Sequence, residues 1–250
     1  MLIDGFGRKI TYLRISVTDR CNLRCVYCMP PEGIEWRSHD SIMRYEEIIE
    51  VVRIAAAHGV RKVRLTGGEP LVRRDLPDLI RMIAKIPGIE DISLTTNGIL
   101  LEKMAVQLKE AGLSRVNISL DTLQPEKFAR ITRGGSLEAI WRGIEAVEKL
   151  GMTPIKINVV AMRGVNQDEL IDLAKLSLDR PWHIRFIELM PVNNHQSWGD
   201  SFPPPDELFI SIPEIKEILA PLELSPSSEE TNHGPAQEFV LKNGRGKVGF

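Results

Sequence analysis

A chain of 250 residues, 43% hydrophobic and 26% charged, is long enough to bury one large α/β core and too apolar for disorder. No apolar run approaches the roughly 18 residues that span a bilayer, and residues Met1 to Lys9 are polar and glycine-rich, so a cytoplasmic protein with no membrane partner is expected. A formal charge of −2 gives no broad field for a polyanion, which argues against a nucleic-acid partner and leaves any anionic ligand to locally placed cations.

In chain order, Leu13 to Val17 reads as a first strand, and all three cysteines follow it at positions 21, 25 and 28. An odd set spaced this tightly closes almost no loop and leaves a thiol over, so metal or redox chemistry is expected rather than a disulfide framework. Two other readings fit less of the pattern. A structural zinc site wants four ligands, and the next histidine is His39; a thioredoxin-like Cys25-Val26-Tyr27-Cys28 pair leaves Cys21 idle.

Ile48, Val52 and Ala55 mark an amphipathic helix, Gly59 stops it, and Val63 to Thr66 is the second strand, running into Gly67 and Gly68. The Ile86-Pro87-Gly88 turn leads to a strand over Ile92 to Thr95. Leu101, Met104, Ala105, Leu108 and Ala111 predict the next helix, closed by Gly112 before a strand at Val116 to Leu120. Leu137, Ile140, Trp141, Ile144 and Val147 predict another, closed by Gly151 before Ile155 to Val160. Ile184 to Ile187 is the sixth strand. Strands alternating with helices imply right-handed crossovers and a parallel sheet, and six units suit a partial (β/α)6 barrel of the TIM type, with a flat doubly wound sheet as the alternative.

After Met190 the pattern changes. Pro191, Gly199 and Pro203 to Pro205 mark a long loop, a short helix follows near Ile212 to Leu219, and Glu238 to Leu241, Asn243-Gly244 and Lys247 to Phe250 read as a hairpin whose second strand has barely begun. Regular strand–helix repetition is expected to end at residue 190, giving a division into 1–190 and 191–250.

Side-chain parity along the strands carries a functional expectation. Leu13, Ile15, Val17, Val63, Leu65, Val116, Ile118, Leu120, Ile155, Ile157 and Val159 fall on the faces that lie beneath helices. Their neighbours Arg14, Ser16, Arg64, Thr95, Asn117, Ser119, Lys156 and Asn158 then point inward, where a packed barrel would carry branched apolar residues. Such a lining implies a cavity. Three buried cations, Arg14, Arg64 and Lys156, need acidic partners or an anionic ligand, and the ligand is the expectation drawn here. The cysteine loop, following the first strand, sits at the carboxyl end of the sheet, where barrel enzymes keep their chemistry.

Cys21-Asn22-Leu23-Arg24-Cys25-Val26-Tyr27-Cys28 resembles the signature of the radical S-adenosylmethionine family, and Thr66-Gly67-Gly68-Glu69-Pro70 resembles its glycine-rich segment. Asp4 to Arg8, Ser16 to Arg20, Leu94 to Gly98, Ile118 to Asp121 and Arg185 to Glu188 narrow the likeness to the GTP 3',8-cyclase family of molybdenum cofactor biosynthesis, over essentially the whole chain. The resemblance implies a lyase in which Cys21, Cys25 and Cys28 bind a 4Fe-4S cluster with one iron left open. It assigns Tyr27, Gly68, Ser119 and Met190 to S-adenosylmethionine, and Arg14, Arg64, Thr95 and Lys156 to GTP. It further implies a deoxyadenosyl radical that abstracts the ribose C3′ hydrogen of GTP, with closure onto C8 of guanine.

The partners it implies are a cytosolic electron donor, a downstream cyclic pyranopterin monophosphate synthase and a second copy in a homodimer. The family pattern includes a later cysteine-bearing segment for a second 4Fe-4S cluster. No cysteine follows Cys28, so a truncated chain is expected, able to cleave S-adenosylmethionine but not to complete the cyclisation. A radical enzyme acting on a peptide or another small molecule, an inactive copy and a noncatalytic metal-binding protein remain the alternative readings.

Overall fold

In a computed structural model of the chain, the described residues are 1–190, 202–228 and 236–250. They form two compact units: Met1–Asn22, Glu35–Asn117 and Ala139–Thr153 make the first, and Leu23–Ile34, Ile118–Glu138 and Pro154–Phe250 the second.

In the first unit β1 (Tyr12–Ser16), β2 (Lys62–Thr66) and β3 (Asp91–Thr96) run parallel in that order. Parallel neighbours need long crossovers, supplied by α1 (Tyr45–Ala57) and α2 (Leu76–Ala84). α3 (Leu101–Glu110) and most of α5 (Leu137–Lys149) complete the unit. Each helix buries one stripe at helical spacing, as with Leu76, Leu79, Ile80 and Ile83 of α2, while Val63, Leu65 and Leu94 are fully buried on the strands. Burial of one such side chain contributes about 1.5–3 kcal/mol. Gly59, Gly112 and Gly151 end α1, α3 and α5 at φ +102, +105 and +66, the left-handed conformation expected of helix stops.

The chain passes into the second unit within β4 (Arg115–Ser119), followed by α4 (Pro125–Thr132), β5 (Lys156–Ala161), α6 (Leu170–Asp179) and β6 (His183–Glu188). Pro191 and Gly199 of the expected long loop lie outside the described residues. α7 (Pro205–Leu208) and α8 (Ile212–Ile218) come next, the latter opened by a reciprocal Ser211–Glu214 cap. The six expected strands are all present, each within two residues of its expected ends. Helices α2, α4 and α6 were not expected individually.

The end of the chain differs more. The hairpin of β8 (Glu238–Val240) and β9 (Lys247–Gly249) exists, with β7 (Ser225–Pro226) beyond it, but β9 also pairs parallel with β6. Parallel pairing therefore continues past residue 190, through an arm of the expected hairpin. Gly246 makes this junction possible: its N–H donates to the Ser177 carbonyl at 2.8 Å, and a Cβ there would lie 2.1 Å from the Trp182 carbonyl oxygen. Because that neighbour is backbone, Gly246→Ala should destabilise the fold by about 1–3 kcal/mol through overpacking and free β9 from β6. Thermal denaturation with hydrogen exchange at Lys247–Gly249 measures both.

Candidate functional site

In the first unit the segment before Cys21 lies on the Gly67-Gly68 turn. Gly68 N–H donates to the Thr18 carbonyl at 2.7 Å and Glu69 N–H to the Arg20 carbonyl at 2.8 Å. A Cβ would stand 2.5 Å from Thr18 O at Gly67 and 2.3 Å from Arg20 O at Gly68. The resemblance gives Gly68 a reason in cofactor approach; the chain's own backbone already requires both glycines. Glu69, buried, accepts from Leu71 N–H at 3.0 Å, the Thr96 hydroxyl at 2.7 Å and Asn97 N–H at 2.7 Å. Burial pushes its carboxyl pKa up, against the pull of those hydrogen bonds. Asn97 Nδ2 in turn donates to Asn22 Oδ1 at 2.8 Å and to Cys21 Sγ at 3.8 Å.

The other two cysteines belong to the second unit. Cys25 to Met29 is a tight turn, Cys28 and Met29 both donating N–H to the Cys25 carbonyl at 2.9 and 3.0 Å. Val26 is fully buried in an apolar cluster with Ile131, Met162, Val165 and Leu189, and its N–H donates to the Ile131 carbonyl. Arg133 Nη1 donates to the carbonyls of Arg24 and Met29. The Tyr27 hydroxyl donates to Asp121 Oδ2 at 2.7 Å. Burial pushes Asp121 up to about 6, opposed by the hydrogen bonds from Tyr27 and Val160, and burial with the Asp121 charge lifts Tyr27 well above its ordinary value.

Cys21 and Cys25 are half-buried and Cys28 exposed, none of them in a disulfide. Among the described residues no group of three or more His, Cys, Asp and Glu side chains is gathered as a metal site. The donor chemistry nonetheless fits an iron–sulfur cluster, since soft thiolates select such clusters.

Strand register aligns the expected cations. Arg14 stands beside Arg64 on β1 and β2. Only part of the expected burial holds: Tyr12, Arg14 and Ser16 are exposed, and Arg64 is half-buried, stacked on the Tyr12 ring at 5.1 Å with Nε 3.5 Å from the Ser93 hydroxyl. Thr95, Ser119 and Asn158 are half-buried, Asn117 is fully buried with its amide on the Leu94 carbonyl, and Met190 is 68% exposed.

Lys156, 1% exposed, pairs in register with His183, and Asn158 with Arg185. Glu238 approaches His183 and Arg185 at 3.7 Å and Lys247 at 3.2 Å. Burial would raise Glu238, but the Lys247 hydrogen bond and the charges of His183, Lys247 and Lys156 outweigh it and hold the carboxyl below its ordinary value. Lys156 thus has an acid nearby as well as a ligand-facing assignment. His183, Arg185, Glu238 and Lys247 were missed as site residues, although alternation along Ile184 to Ile187 would have put His183 and Arg185 opposite the apolar face. A cavity of about 840 Å³ in the first unit, lined by Val17 to Arg20, Arg37, Tyr45 and Arg73 among others, contains none of the residues assigned to cofactor or substrate.

Known proteins give this arrangement its class. Residues 15–177 match the Radical SAM superfamily. The fold recurs in methylornithine synthase, with a TM-score of 0.62 and 16% identity over 86% of this chain and 64% of that one. It recurs also in Streptococcus suis SuiB bound to S-adenosylmethionine, at 0.60 and 20% over 77% and 44%. Much nearer in sequence are the GTP 3',8-cyclases of Pelotomaculum thermopropionicum, 52% identical, and Moorella thermoacetica, 51% identical, each over 99% of this chain and 75% of its relative. The chain belongs to the GTP 3',8-cyclase family of the radical SAM superfamily. Membership implies an iron–sulfur cluster and S-adenosylmethionine. No helix among the described residues is long and apolar enough to cross a membrane.

The charge cluster also sets a pH dependence. Burial and the Lys156 charge bring His183 down from 6.5 to about 4, against the pull of Glu238. Between those values the unfolded chain binds more protons than the folded one, so stability falls as pH drops through that window. Glu238, depressed in the fold, adds loss in the same direction at lower pH. His183→Gln should flatten the decline in thermal midpoint between about pH 6.5 and 4.5; scanning calorimetry of both proteins across that range is the check.

Proposed function

We propose that the chain acts on GTP as a 3',8-cyclase, in the cytoplasm, with a soluble electron donor and a downstream cyclic pyranopterin monophosphate synthase as partners and a homodimer as its assembly. The likeness to the GTP 3',8-cyclases over 99% of this chain carries the reading. Cys21, Cys25 and Cys28 hold a 4Fe-4S cluster, and Tyr27, Gly68, Ser119 and Met190 contact S-adenosylmethionine. Residues 1–190 form the part that binds cluster and cofactor, and 191–250 belong to a C-terminal region. When bound, cluster and cofactor supply one-electron cleavage chemistry.

The chain's own contribution is positioning. Gly67 and Gly68 let the Thr18–Arg20 backbone settle on the end of β2, which places Cys21. The buried Val26 fixes the turn that carries Cys25 and Cys28. Arg14, Arg64, Thr95 and Lys156 contact GTP; for Arg14 and Arg64 the register is consistent with this, since like charges side by side on neighbouring strands repel and a triphosphate relieves that repulsion. Holding both reactants in one pose contributes to the rate of such a ring closure.

Replacing any one of the three cysteines with Ala should abolish cluster assembly, since two thiolates do not hold a four-iron cluster. Iron quantification after anaerobic reconstitution decides it, and a variant retaining the full iron content of the parent would overturn the ligand assignment. Arg64→Ala and Lys156→Ala should each weaken GTP binding by about 1.5–3 kcal/mol, the range for hydrogen bonds to charged groups. Calorimetric titration with GTP measures the loss, and unchanged affinity in a folded variant would remove these residues from the substrate site.

A further inference from the structure

Tyr27 lies between two of the cysteines, and its hydroxyl is held by a residue that the sequence reading gave no role. Asp121, just beyond β4, is 4% exposed and uses both carboxylate oxygens: Oδ2 accepts from the Tyr27 hydroxyl at 2.7 Å and Oδ1 from Val160 N–H at 2.8 Å. Its own backbone is held too. Asn166, fully buried, donates through Nδ2 to the carbonyls of Asp121 at 2.7 Å and Val160 at 2.8 Å, and its Oδ1 accepts from Met162 N–H at 2.7 Å. The carboxylate is thus immobilised on the ends of β4 and β5 before it reaches Tyr27.

A buried side-chain network in which every member is satisfied has one low-energy arrangement. The adjacent residue, Val26, is anchored separately by apolar packing and by its N–H bond to the Ile131 carbonyl. Val26 therefore fixes where the turn lies. The hydroxyl bond fixes something else, the direction of the Tyr27 ring, because a tyrosine tethered at its far end loses the freedom of its two side-chain torsions. Charge assistance makes this tether stronger than a neutral one.

We propose that Asp121 is a positioning residue for the S-adenosylmethionine site, setting the pose of the Tyr27 ring without itself touching the cofactor, an inference that rests on the cofactor role proposed above for Tyr27. Asn166 supports Asp121 in the same function.

The test is a double-substitution cycle on anaerobically reconstituted protein, with S-adenosylmethionine affinity read by calorimetric titration and iron content measured alongside. Tyr27→Phe and Asp121→Asn should each retain iron and raise the dissociation constant about tenfold, in line with loss of one charge-assisted hydrogen bond. The double variant should bind no more weakly than Tyr27→Phe alone, because both changes remove one interaction. A role confined to fold stability would leave the affinity of the folded fraction unmoved and lower only the thermal midpoint. Wild-type protein that assembles its cluster but binds no S-adenosylmethionine would overturn the cofactor reading and this inference together. Normal wild-type binding with unchanged single variants, or with additive losses in the double variant, would overturn this inference alone. If Asp121→Asn does not fold, Tyr27→Phe decides alone, and unchanged affinity in it refutes the tether.

Discussion

A carboxylate taken out of water is costly unless donors converge on it, and the penalty for one left bare runs to several kcal/mol. Among the described residues, three such carboxylates are buried in the loops that leave the strands. Glu69 collects Leu71, Thr96 and Asn97; Asp121 collects Tyr27 and Val160; Glu169 collects the Thr122 hydroxyl, Leu123 N–H and the Lys127 ammonium. Each demand for donors doubles as a fastening, because the donors come from segments distant in sequence. Loops that would otherwise sample many conformations are thereby tied to rigid strands, as a site that must hold two reactants requires.

The fastenings are specialised within each unit. In the first, Glu69 gathers Thr96 and Asn97, and Asn97 reaches onward to the Cys21 sulfur, while the glycine pair beside Glu69 receives the Thr18–Arg20 backbone. In the second, Asp121 reaches the cysteine turn directly through Tyr27, and Arg133 caps the turn's carbonyls.

The strands were legible because each alternates apolar and polar residues and three of the six follow a glycine that stops a helix; Val63 to Thr66 after Gly59 is the plainest case. α4 was not, since only Phe128 and Ile131 anchor its eight residues and Thr132 is buried in their company. α2 follows directly on Asp75, which holds a left-handed φ of 56 that sequence does not announce. The pairing of β9 with β6 left no local trace: a strand's partner depends on distant residues, and Lys247 to Phe250 reads equally well as the return arm of a hairpin. The cysteine triplet and the glycine turn stood out as spacing. Asp121 and Asn166 did not, because a buried polar network is defined by who meets whom, and periodicity carries no such information.

The two cation rows show how burial dictates the company a charge keeps. Arg14 and Arg64 lie side by side, yet Arg14 is exposed and Arg64 leans on the Tyr12 ring, so water and an aromatic face moderate their repulsion. Lys156 has no such recourse at 1% exposure, nor do Arg185 and Lys247 with side chains 14% and 13% exposed. There an internal acid is needed, and Glu238 supplies it from β8. β8 and β9 thus bring Glu238 and Lys247 into the charge cluster around Lys156.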